Sequence, residues 1–184
     1  MKRTDLSAFE ARRNFDRGRS NLVFAVWLVT KRVFFQTSIP WPSELKACIL
    51  RFFGAKIGRG VVIKPRVNIW FPWKLELGHH VWIGEEAVLL NFEPIIVGCN
   101  CCISQQSFLC AGGHDFRDVS FSYRNAPIRL GDGVWLQARA FLCPGVCIGA
   151  EAVVIACSLV KSDVPANSIY EGIPSLPLRT RWKV

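Results

Sequence analysis

Residues 130–165, LGDGVWLQARAFLCPGVCIGAEAVVIACSLVKSDVP, decide the fold. Leu, Ile or Val recurs there every six residues, at Leu130, Leu136, Leu142, Ile148, Val154 and Val160. The same rule runs upstream through Ile57, Ile63, Ile69, then Leu77, Ile83, Leu89, then Val97, Ile103, Leu109, which makes fifteen hexapeptides in all. Four places after the opener, thirteen of the fifteen carry a small residue; Trp73 and Glu93 are the exceptions. A fixed six-residue period is the signature of a parallel β-helix. Short strands joined by tight corners form a triangular coil of eighteen residues, and each aliphatic opener points inward onto its counterpart one coil away. Every coil buries its inner face only against its neighbours.

The breaks in register group the hexapeptides in threes. Two extra residues follow the third (Leu75, Glu76), two follow the sixth (Ile95, Ile96), and fifteen follow the ninth, Asp115–Arg129. All three insertions therefore fall at one corner. The first hexapeptide of every coil has Gly after its opener, at Gly58, Gly78, Gly98, Gly131 and Gly149, as a corner needing positive φ or close backbone approach requires. Three regions follow: a basic helical cap at 1–56, about five coils at 57–165 with a loop inserted at 115–129, and a C-terminal tail at 166–184. In the cap, Asn21 to about Phe35 reads as one helix. Ser43 to Phe53 reads as another, with Ser43 as N-cap and Gly54 just past its end. Both helices are expected to close the first coil.

At 184 residues, with 51% hydrophobic and 20% charged, the chain can bury a core, which excludes wholesale disorder. The longest apolar run, Leu22–Phe35, is interrupted by Lys31 and Arg32 and falls short of the ~20 residues that span a bilayer. The start, MKRTDLSAFEARR, carries acids and no early apolar stretch, so a cytoplasmic protein is expected. Without an export signal, the eight cysteines are expected to be reduced. Cys99, Cys101 and Cys102 have no companion histidines at zinc-finger spacing, and no metal is expected. Of the net charge of +9, residues 1–56 hold eleven Lys/Arg against four Asp/Glu, which is +7. No nucleic-acid reader module accompanies that charge. An anionic ligand or membrane surface fits it better, each basic residue near such a surface being worth about 1 kcal/mol, and residues 1–40 are the candidate for peripheral membrane contact.

Three histidines make a short inventory of neutral-pH bases. His79 and His80 occupy the third and fourth places of a coil-opening hexapeptide and read as exposed corner residues. His114 stands at the root of the only long insertion, after Cys110-Ala111-Gly112-Gly113, whose small side chains let a ligand approach the backbone. Stacking arithmetic places Asn91 one coil below Ala111, a candidate to bond an acceptor hydroxyl. Ala138 and Ala156 share a corner eighteen residues apart, a smooth strip for a thin chain such as pantetheine. Trp135 can wall the site.

CAGGHDF at 110–116, APIRLGDGVWL at 126–136 and PGVCIG at 144–149 resemble the hexapeptide-repeat O-acetyltransferases, above all the colanic-acid-biosynthesis acetyltransferase family. DLSAFE at 5–10 and RFFGAKIGRGVVIKP at 51–65 extend the likeness over essentially the whole chain. The resemblance implies a left-handed β-helix and a homotrimer with active sites between subunits. It also implies acetyl-CoA as donor, a sugar or polysaccharide precursor as acceptor, and a histidine base matching His114. Carried over by position, Trp135, Ala138, Ala156 and Lys161 would line the donor cleft, Arg179 would meet the nucleotide phosphates, and Asp115 would join Asn91 on the acceptor side. Two other readings compete: a β-helical carbonic anhydrase, needing three histidines around one zinc, and a non-catalytic scaffold at the membrane surface.

Overall fold

The computed structural model describes residues 3–10 and 15–182. Its body is a parallel β-solenoid whose strands line three faces. The first face holds Lys56–Ile57, Leu75–Leu77, Ile95–Val97, Ile128–Leu130 and Cys147–Ile148. The second holds Val62–Ile63, Trp82–Ile83, Cys102–Ile103, Trp135–Leu136 and Val153–Val154, and the third Asn68–Ile69, Val88–Leu90, Phe108–Cys110, Phe141–Leu142 and Leu159–Val160. The openers stack in register: Ile69 over Leu89, Leu109, Leu142 and Val160, all fully buried. The six-residue rule thus becomes three continuous aliphatic columns, the core of the protein.

The coil-opening glycines serve close approach. A Cβ on Gly58, Gly78 or Gly131 would stand 2.5–2.7 Å from backbone of the next coil, and none of the three has positive φ. The left-handed turn comes two residues later, at Gly60, His80, Asn100, Gly133 and Glu151, where non-glycine residues are tolerated.

Beyond Pro165 the expected tail carries the solenoid a partial turn further. Val164 pairs parallel with Ile148, and the strand Ser168–Gly172 runs parallel to Val153–Val154 on the second face. Ser175–Thr180 then returns antiparallel and finishes that sheet.

At the other end, α1 (Asn21–Phe34) and α2 (Ser43–Phe52) close the first coil. Trp27, Leu50 and Phe53 cover its aliphatic columns, and the Trp27 indole donates to the Ile69 carbonyl at 3.2 Å. Gly54 (φ +97°) ends α2 as the sequence implies. Ser43, expected to cap α2, is its first residue; its hydroxyl accepts the Ile63 N–H at 3.0 Å instead, tying the helix to the solenoid. The eight cysteines are free thiols, and burial pushes that of Cys101 up to about 11.

Candidate active site

His114 sits at the corner between the third and first faces, where the coil opens into the long loop. The loop folds back on it. Arg124 N–H donates to the Gly113 carbonyl at 2.8 Å, Asp115 N–H to Ser122 at 2.9 Å, and His114 and Tyr123 form an antiparallel bridge. Asp118 staples the loop tip by accepting from Ser120 and Ser122, bonds that hold its carboxyl well below the usual carboxylate range.

The half-buried imidazole lies in an aromatic setting. Phe121 stacks on it at 4.2 Å, Tyr123 at 4.7 Å, and Phe9 meets its edge at 5.5 Å. Its Nδ1 is 2.7 Å from the Phe121 carbonyl oxygen. A carbonyl can only accept, so Nδ1 carries the proton in neutral His114 and Nε2 keeps its lone pair. The fold thus selects the tautomer that a general base needs. The hexapeptide repeat does not single out Phe9, Phe121 or Tyr123; the signal for the last two is the FSY run inside the inserted loop, at 121–123. Phe9 comes from the N-terminal segment, which crosses the loop where Asp5 N–H donates to the Val119 carbonyl at 2.8 Å.

The other expected site residues separate into two groups. Asn91 is a correction. It is fully buried, its Oδ1 accepts the N–H groups of Trp70 and Phe71 at 3.2 and 2.9 Å, and its Nδ2 donates to the Phe71 carbonyl at 2.6 Å. The side chain splints the irregular corner of the coil below and has no surface to offer an acceptor. Asp115 is half-buried at the start of the loop, one oxygen engaged by the Arg117 N–H at 2.9 Å. Lys161 is exposed on His114's own corner, two coils on.

Ala138 and Ala156 occupy a different corner, between the second and third faces. Gln137 Oε1 takes the Ala156 N–H at 3.2 Å, whereas no acceptor among the described residues takes the Ala138 N–H. Trp135 points outward on the second face, 41% exposed and fixed by an indole bond to Ser104 Oγ at 3.0 Å. Below it runs a groove of about 380 Å³ lined by Trp82, Cys102, Ser104 and Gln105. Arg179 lies on the outer strand of the same sheet, in the column Trp135, Val153, Ile169, Arg179. Three strand spacings, about 14 Å, separate it from Trp135.

His79 and His80 are exposed on the corner between the first and second faces, away from His114, and among the described residues no three His, Cys, Asp or Glu side chains are grouped to hold a metal ion. Cys110, the thiol nearest His114 in sequence, is pushed up by burial and donates to the Gly112 carbonyl, the opposite of an activated nucleophile. No helix among the described residues is long and apolar enough to cross a membrane.

The Escherichia coli protein named colanic acid biosynthesis acetyltransferase WcaF is 39% identical over 177 residues, covering 96% of this chain and 97% of its own. Galactoside O-acetyltransferase of the same organism is 25% identical over 149 residues, 79% of this chain and 73% of its own. A hexapeptide-repeat acetyltransferase of Vibrio cholerae, solved in complex with acetyl coenzyme A, superposes with a TM-score of 0.81 at 23% identity, covering 92% of this chain and 94% of its own. The shared architecture is the left-handed parallel β-helix. No family model matches the chain.

Proposed function

The chain belongs to the colanic acid biosynthesis acetyltransferase family, one of the hexapeptide-repeat acetyltransferases, and from that membership we propose that it transfers acetyl from acetyl-CoA to a hydroxyl of a saccharide in the cytoplasm, with His114 as general base. The observation that carries the assignment of His114 is the 2.7 Å Nδ1 contact with the Phe121 carbonyl, which leaves Nε2 free to accept a proton. In the reaction, Nε2 takes the proton of the acceptor hydroxyl as its oxygen attacks the thioester carbon. The Ala138 N–H, with no acceptor among the described residues, stabilises the tetrahedral oxyanion. Collapse breaks the C–S bond, and His114 returns the proton to the departing thiolate. Ester and free coenzyme A are the products, and no covalent enzyme intermediate is formed.

The site as proposed needs more than one copy. In a single chain, His114 and the Ala138–Ala156 strip stand at opposite edges of the third face. In a homotrimer with that face turned to the threefold axis, the second–third corner of one copy meets the third–first corner of the next. Two features favour this arrangement. After Asn68, the outward column of the third face runs Val88, Phe108, Phe141, Leu159, with the two phenyl rings stacked at 5.0 Å, while that of the first face includes Lys56, Glu76 and Arg129. Trp135 and Arg179 would then flank the cleft on the second face, the arginine set where the nucleotide phosphates of coenzyme A would lie.

Thiol release from acetyl-CoA against a panel of saccharide acceptors tests the reading. His114→Ala is expected to lower kcat roughly 10²- to 10⁴-fold with acetyl-CoA affinity nearly unchanged. A variant keeping more than about half the wild-type rate excludes His114 as the base.

A further inference from the structure

α1 buries one of its two charges, exposes the other, Arg32, and turns an apolar side to solvent. Trp27 and Lys31 are buried against the solenoid, Lys31 Nζ donating to Asn68 Oδ1 at 3.1 Å and lying 4.9 Å over the Trp70 ring. On the opposite side Leu22, Val26, Val29 and Val33 form a stripe at spacings of four, three and four. Leu22 is 74% and Val29 68% exposed. α2 adds Phe52, 84% exposed, and shallow grooves between the helices are lined by Arg19, Leu22, Val26 and Phe52 and by Leu45 and Ile49. A stripe this regular on solvent has no role in holding the fold, because the same helix already packs through its other side.

The stripe lies on the side of α1 opposite Trp27, which packs on the first coil, and so looks away from the coils. A second copy docked base to base would bring like charge together, since residues 15–56 hold seven Lys/Arg against two Asp/Glu. Glu44 is no relief, because Arg51 already holds its carboxylate at 2.9 Å. Apolar residues rimmed by excess positive charge suit a surface that is apolar within and anionic at its boundary. We infer that the base formed by α1 and α2 docks on an anionic lipid bilayer, Leu22, Val26, Val29, Val33 and Phe52 entering the acyl boundary while Arg19 and Arg32 meet the headgroups. The inference stands apart from the transfer chemistry and is tested without acetyl-CoA.

Full-length protein is sedimented with vesicles of equimolar phosphatidylglycerol and phosphatidylcholine, and with phosphatidylcholine alone. Binding to the anionic vesicles, weakened by salt, and little binding to the neutral ones is expected. Val29→Glu and Phe52→Glu, each at a position outside the core, should weaken that binding about tenfold while circular dichroism and thiol-release activity on a soluble acceptor stay at wild-type values. Absence of binding at low salt overturns the proposal, as does unchanged binding in both variants. A fall in oligomeric mass on Phe52→Glu also overturns it, because the base would then be an interface between copies.

Discussion

Asn91 shows how a polar side chain in a repeat protein can be structural at a position where stacking arithmetic suggests a site. At this corner in coil one the chain breaks the six-residue rule with Pro72-Trp73-Lys74, a single 3-10 turn. The break leaves the Phe71 N–H facing the coil above with no backbone acceptor, while the Trp70 N–H reaches the Leu89 carbonyl at 3.2 Å and the Phe71 carbonyl takes the Lys74 N–H at 2.9 Å. The Asn91 amide supplies an acceptor and a donor at once, which no apolar residue and no carboxylate can do. Asn91→Ala is expected to strand the buried Phe71 N–H and cost about 1–3 kcal/mol, read from the urea midpoint of unfolding. Activity measured well below that midpoint should stay within a few-fold of wild type; a much larger loss of rate in a folded Asn91→Ala protein would return the residue to the acceptor site.

At the scale of one coil, two chemically different demands sit two residues apart. The residue after each coil opener must let the next coil's backbone approach to strand spacing, and only the absence of Cβ allows it: at Gly78 an added Cβ would lie 2.7 Å from the Cys99 nitrogen. Two residues on, the chain needs φ near +60°, a cost that Asn and His bear routinely and that other residues bear here too. Gly78→Ala should therefore destabilise by about 2 kcal/mol or more, since the backbone of the next coil at Gly98 and Cys99 has no room to yield. Asn100→Gly, at φ +57°, should stay within about 1 kcal/mol, easing the turn while loosening the unfolded chain. Thermal unfolding of the pair checks the contrast, and equal losses would contradict it.

For the whole molecule, the geometry of a triangular prism decides what one chain can do alone. Side chains on different corners cannot converge, because the filled aliphatic core lies between them. The proposed site therefore predicts intersubunit complementation. His114→Ala should be inactive alone, and Ala138→Trp, which fills the strip, should be inactive alone. Mixed trimers assembled by co-expression should regain activity, since some clefts then pair an intact His114 with an intact Ala138. Phe141→Glu should lower the oligomeric mass in sedimentation by placing charge on the axis face. Recovery of no activity in mixed trimers, with mixing verified by mass, would mean that each chain carries its own site.

The sequence alone determined the solenoid, because a six-residue aliphatic period has no other packed solution and each opener's burial depends only on its counterpart one coil away. It also marked the insertion corner and His114 there, since a register break in a strict repeat is visible in one dimension. Only the tertiary structure decided the tautomer of His114, because that depends on the loop folding back so that the Phe121 carbonyl meets Nδ1. It likewise decided that Asn91 is a splint, that Trp135 and His114 face different ways, and that α1 turns its apolar stripe outward. These depend on which corner or side a residue occupies once neighbouring coils and helices fill the rest, and a six-residue period carries no record of that.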